Sequence, residues 1–121
     1  MPSFRVPYID FPTQLKPLRK SILNVVLNIL KRGDFILGRE VEEFEKEFAK
    51  ICGVPYAIGV ANGTDALIMA FKALGIGAGD EVITAPNSFI ASASSIALVG
   101  ATPVFVDIRN DMTLDPGLIE K

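Results

Sequence analysis

The sequence predicts an α/β protein: a mostly parallel sheet with helices on both faces, in three layers, α/β/α. Three observations predict it. Short apolar runs alternate with helix-patterned segments over residues 56–106, the links between them are short, and a glycine turn follows the first run just where a helix opens. Strand–helix–strand–helix–strand order with short links implies right-handed crossovers and therefore parallel strands. A chain of 121 residues is long enough for one domain with a single core.

The elements follow in order. Residues 1–14 carry Pro2, Pro7 and Pro12 and are expected to be irregular and extended. A helix is expected from Lys16 and Pro17, because proline suits a first helical turn. Its apolar positions Leu18, Ile22, Val25, Val26 and Ile29 recur at helical spacing, and Lys31, Arg32 and Gly33 suit its end. A second helix is expected over residues 39–51, with Val41, Phe44, Phe48 and Ile51 as a buried stripe and Gly53 as its stop. Its acidic residues read as a solvated face, with Glu42 and Lys46 spaced for an ion pair.

Residues 56–61 (YAIGVA), 81–85 (EVITA) and 102–106 (TPVFV) are expected to be strands. Residues 64–74 and 89–99 are expected to be the helices between them, the first with Ala66, Leu67, Ala70, Phe71 and Leu74 facing inward. Asp115 and Pro116 read as the cap and first turn of one more helix. Residues 1–34 form an N-terminal extended segment and helix, and residues 35–121 the sheet-bearing part.

Composition narrows the function. Half the residues are hydrophobic, 21% are charged, and the formal net charge is −2, so nothing favours a nucleic-acid backbone. The chain has no histidine, which removes His-dependent metal sites and His-activated nucleophiles. Its single cysteine, Cys52, excludes an intrachain disulfide and is expected to be a buried, inert thiol. Residues 1–5 lack the pattern of a secretory signal, so a cytoplasmic location is expected. Residues 82–106 are free of charge over a length that could span a bilayer, yet Pro86, Pro103 and several hydroxyl residues argue for short buried elements instead.

In open α/β sheets ligands bind beyond the carboxyl ends of the strands. Three loops qualify: residues 62–65, residues 86–89, and the segment from Asp107 onward. In the first, Asn62 and Gly63 lead into a helix whose opening N–H groups and dipole attract an anion, and Thr64 adds a hydroxyl. A plain helix cap by Asn62 or Thr64, with no ligand, explains the same residues. The turn lacks the Gly-Lys-Ser/Thr of a nucleotide P-loop, and Gly75, Gly77 and Gly79 close a helix rather than open one, so they read as a turn. Phe89 reads as a core residue, or as a cover over a flat ligand held by the first loop.

The motifs GVANGTDAL (residues 59–67) and GDEVITAP (residues 79–86) followed by Phe89, with the VPYIDF opening and the LDPGLIEK ending, resemble the N-terminal part of the DegT/StrS nucleotide-sugar aminotransferases. That family belongs to the fold-type-I enzymes that use pyridoxal 5′-phosphate (PLP). The resemblance implies an incomplete N-terminal portion of the PLP-binding large domain, with Gly63, Thr64 and Asp65 holding the cofactor phosphate and Phe89 stacked on its ring. It implies glutamate and a nucleotide-linked keto-sugar as substrates, polysaccharide or amino-sugar biosynthesis as the setting, and a homodimer for the complete protein. Arg109 stands where many relatives carry an acid, and reads as surface variation. The lysine that forms the Schiff base in the family lies beyond the matching stretch, and Lys72 and Lys121 match no catalytic position. The 121 residues alone are therefore expected not to transaminate. A related PLP-dependent sugar dehydratase, or a non-enzymatic remnant of a disrupted gene, fits the same stretch.

Overall fold

The computed structural model describes residues 6–119. The expectations for residues 1–5 and for Lys121 lie outside them. The chain divides into two compact units, the first ending at Ala57 and the second beginning at Ile58.

The described residues of the first unit form helices α1 (Phe11–Leu15), α2 (Arg19–Arg32) and α3 (Arg39–Cys52). The expected extended start is corrected by α1. The Asp10 carboxylate accepts from the Thr13 N–H at 3.2 Å and from its hydroxyl at 2.7 Å, and Pro12 sits in the first turn. That local cap outweighs the three prolines. α2 ends as expected, with Lys31 and Arg32 in its last turn and Gly33 at φ +78° donating to the Ile29 carbonyl. α3 ends the same way on Gly53, at φ +67°.

The expected buried stripe of α3 is corrected. Phe44, Phe48 and Ile51 are exposed, and Cys52 is exposed rather than buried. Phe44 and Phe48 stack on each other, their ring centroids 5.6 Å apart. Of the described residues of this unit, only Ala49 is buried as core. Amphipathic spacing marks a face that is able to be buried; it needs a second surface to bury it.

Between α2 and α3 the Arg32 guanidinium forks. Its Nε donates to Asp34 at 3.0 and 3.1 Å, and its Nη2 to Glu40 at 2.8 and 2.6 Å. These bonds hold both carboxyls below their ordinary values of 3.8 and 4.5. A lowered carboxyl stabilises the fold above its ordinary value, and that contribution is lost as pH falls through the folded value. The link over residues 33–39 is therefore expected to hold at neutral pH and to loosen on acidification below about pH 4. Limited proteolysis across a pH series checks this; a cleavage rate flat through that range would count against the fork.

The second unit contains α4 (Gly63–Ala73), β1 (Glu81–Thr84), α5 (Ala91–Leu98), β2 (Thr102–Phe105) and a 3-10 turn at Pro116–Leu118. β1 and β2 pair in parallel, in the register Glu81↔Thr102 to Thr84↔Phe105. α5 makes the crossover and packs on both strands and on α4. The charge-free stretch is thus β1, α5 and β2, and no helix among the described residues is long and apolar enough to cross a membrane. Gly75 and Gly79, at φ +77° and +94°, make the expected turn, where Asp80 accepts from the Gly77 N–H at 2.8 Å.

The core of this unit is Ala91, Ser95, Ile96, Ala101 and Val106. The Ser95 hydroxyl donates to the Ala91 carbonyl at 2.6 Å, so its burial leaves no polar atom unmet. Small residues let α5 lie close on the strands.

Two further expectations are corrected. Residues 56–61 (YAIGVA) lie outside the sheet, which has two strands rather than three. A strand is defined by its neighbour's ladder, and this run is not part of the ladder of the described strands. The covered positions of α4 are Thr64, Asp65, Ile68 and Phe71, while Leu67 and Leu74 are exposed. α4 is apolar on nearly every side, so periodicity selects no single face.

Much apolar surface is left open. Ile58 and Val60 line a groove of about 280 Å³ with Ala66, Met69, Ala70 and Ala73. Sheet residues Ile83, Val104 and Phe105 line another with Leu118 and Ile119. Made alone, the 121-residue chain is expected to self-associate through such surfaces. Sedimentation across a concentration series checks this; a strictly monomeric chain with a sharp, cooperative melt would refute it.

Candidate functional site

Gly63, Thr64 and Asp65 open α4, and Asn62 caps it. The Asn62 Oδ1 accepts from the Asp65 N–H at 2.9 Å, and its Nδ2 donates to the Asp65 carboxylate at 3.0 Å. The two side chains close a reciprocal box around the first turn. The Asn62 carbonyl accepts from the Ala66 N–H at 3.1 Å. The Asp65 N–H is therefore engaged within the turn. The N–H groups of Gly63 and Thr64 stand at the first two helical positions, where no carbonyl one turn back exists to receive them. They lie at the positive end of the helix dipole.

Gly63 gives a direct test of room. A Cβ built there meets nothing within 4 Å, so the approach to these N–H groups is open. The donors, the dipole and the Thr64 hydroxyl suit a phosphate group. Phe89 lies in the loop after β1, just before α5, and is 77% exposed. The core reading of Phe89 is thereby corrected: the ring has a free face. The turn offers donors to a phosphate, and the exposed Phe89 ring leaves a face open to a flat ligand such as PLP.

Of the three loops, the structure joins the second and third directly. Asn87 Nδ2 donates to the Met112 carbonyl at 3.3 Å. Beyond β2 the chain turns back at a bridge between Ile108 and Leu114. Arg109 closes that turn on Asp115 at 3.3 Å, a surface contact. Asp115 caps the 3-10 turn as expected, accepting from the Gly117 N–H at 2.9 Å, although the helix it starts is only three residues long. Two residues beyond the expected site take part: Asn62 as a partner of the Asp65 carboxylate, and Asn87 as a loop tether. The spacing N-x-x-D before an apolar run was a usable sign of the first; a contact 25 residues away left no local sign of the second.

Lys72 sits in the last turn of α4. At 1.5 Å rise per residue it is about 12 Å along the axis from Thr64. It is no partner for a group held at the opposite end.

Known proteins resemble this chain over most of its length. The chain is 44% identical over 118 residues to the dTDP-3-amino-3,4,6-trideoxy-alpha-D-glucose transaminase of Streptomyces venezuelae, covering 97% of this chain and 31% of that protein. The structure of S. venezuelae DesV in complex with a ketimine intermediate superposes with a TM-score of 0.90 at 43% identity, over 94% of this chain and 31% of that one. NtdA from Bacillus subtilis, with bound cofactor PMP, superposes with a TM-score of 0.78 at 38% identity, over 83% of this chain and 23% of that one. The chain thus spans about a third of the length of the relatives it matches. The model of the DegT/DnrJ/EryC1/StrS aminotransferase family matches residues 16–121, and the chain belongs to that family.

Proposed function

We propose that residues 63–65 and Phe89 form the cofactor seat of a PLP-dependent aminotransferase that moves an amino group from glutamate to a nucleotide-linked keto-sugar. The observation that carries this reading is the start of α4. Its open N–H groups at Gly63 and Thr64 stand beside a Gly63 position with room for a ligand, in a chain of this family. The Gly63 and Thr64 N–H groups and the Thr64 hydroxyl bind the phosphate. Asp65 contributes by locking Asn62, which fixes the turn. The Phe89 ring covers the pyridine face and keeps water from it. Bound there, PLP supplies the electron sink that lets the bonds at the amino-bearing carbon break and reform.

On the same reading, residues 35–121 are the first part of the PLP-binding large domain, and residues 1–34 precede it. The complete protein is a cytoplasmic homodimer serving polysaccharide or amino-sugar biosynthesis. The 121 residues alone do not transaminate, because the lysine that the family resemblance implies lies beyond the stretch they match.

The experiment is to incubate the full-length protein with PLP, glutamate and dTDP- or UDP-linked keto-sugars. Formation of 2-oxoglutarate together with an amino-sugar nucleotide supports the reading. Loss of a sugar hydroxyl without consumption of glutamate would place the protein with the dehydratases instead.

A further inference from the structure

An exposed ring is not positioned by packing. Phe89 is 77% exposed among the described residues, so within them its direction is set by the loop that carries it. The side-chain tethers found on that loop flank Phe89 on its N-terminal side. Asn87 Nδ2 donates to the Met112 carbonyl at 3.3 Å, and Ser88 Oγ lies 2.7 Å from Ser92 Oγ on α5. The second tether is local. The first ties the loop after β1 to the turn after β2.

The acceptor is itself held. Met112 sits at φ +66°, a conformation unusual for a side chain of its size. The turn around it is braced by bonds from Arg109 N–H to the Thr113 carbonyl at 2.8 Å and from Met112 N–H to the Arg109 carbonyl at 2.9 Å. Asp111 accepts from the Thr113 N–H at 3.0 Å and from its hydroxyl at 2.7 Å, and Asp115 N–H donates to the Asp107 carbonyl at 3.0 Å. The Met112 carbonyl is thus fixed in place before Asn87 reaches it. A bond to a pre-set acceptor pays less entropy than one that must order both partners.

We propose that Asn87 is a positioning residue: by bonding the Met112 carbonyl it holds the Phe89 loop on the turn after β2, so that the ring is set before the cofactor arrives. The proposal rests on the reading of Phe89 as the cofactor's cover. Asn87 touches no reacting atom. It acts through Phe89, and the turn over residues 109–113 acts through Asn87.

The test uses the full-length protein with PLP as the probe and three variants. Asn87→Ala removes the tether, Asn87→Asp keeps its size but lacks the N–H donor, and Phe89→Ala removes the ring. The readouts are PLP affinity, the induced circular dichroism of bound PLP, and amide exchange over residues 86–90, residues 109–113 and α4. Both Asn87 variants are expected to weaken PLP binding by about two- to tenfold, the effect of one hydrogen bond. They are also expected to diminish the dichroism and to speed exchange in the two loops while α4 keeps its protection. If Phe89→Ala loses the dichroism and both Asn87 variants keep it at full affinity, the positioning role is overturned while the ring-cover reading stands. If Phe89→Ala also keeps it, the ring-cover reading fails and the proposal falls with it.

Discussion

Ile96→Ala is expected to destabilise the second unit by about 2–5 kcal/mol, the range for truncating a buried isoleucine. Ile96 is 1% exposed and lies on α5, the element that packs on α4 and on both strands. The other buried residues of this unit are small: Ala91, Ser95, Ala101 and Val106. They cannot lean in to fill the space, so little of the cavity would collapse. Net stability runs at roughly 0.05–0.15 kcal/mol per residue, which leaves a unit of this size only a few kcal/mol. The variant should therefore lose most of its cooperative unfolding transition in urea, whereas Ile96→Val should cost about 0.5–1.5 kcal/mol and retain it. An unchanged midpoint for Ile96→Ala would mean that the unit is held together elsewhere.

Thr64→Ala is expected to weaken PLP binding to the full-length protein roughly ten- to a hundredfold. A hydrogen bond to a charged phosphate is worth about 1.5–3 kcal/mol, and the hydroxyl is lost without touching the backbone donors. Thr64→Ser should restore most of the affinity, because it returns the hydroxyl and omits only a methyl. The fold should be indifferent to the change, since the cap of α4 is made by Asn62 and not by Thr64. Spectrophotometric titration with PLP separates the outcomes. Equal affinity in wild type and Thr64→Ala would remove Thr64 from the seat, and lowered affinity with a lowered melting temperature would mark it as structural.

The two predictions draw on different kinds of information, and so did the sequence. Local chemistry was legible. Gly33 and Gly53 ended helices where expected, Glu42 paired with Lys46 at 3.6 Å, and Asp115 capped its turn. The β1–α5–β2 crossover was legible too, because its runs and its helix lie close together in the chain. The start of α1 was misread because three prolines were weighed above one aspartate cap. What depends on distant surfaces was not legible. Residues 56–61 have the composition of a buried strand and no ladder among the described strands, and the apolar faces of α2 and α3 stand largely open. In each case the pattern records what the segment is suited to bury, and burial needs a second surface. The proposed seat divides in the same way. Gly63, Thr64 and Asp65 are consecutive and could be read from their order, while the tether from Asn87 to Met112 spans 25 residues and has no signature short of the fold.

Exposed Cys52 has a practical corollary. A chain with one thiol forms at most one interchain disulfide, so oxidation joins two copies and stops there. Any larger species that survives a reducing agent is held by apolar contact alone. A non-reducing gel beside a sedimentation run would thus sort covalent pairs from adhesive clusters, with no engineered label and no change near Thr64.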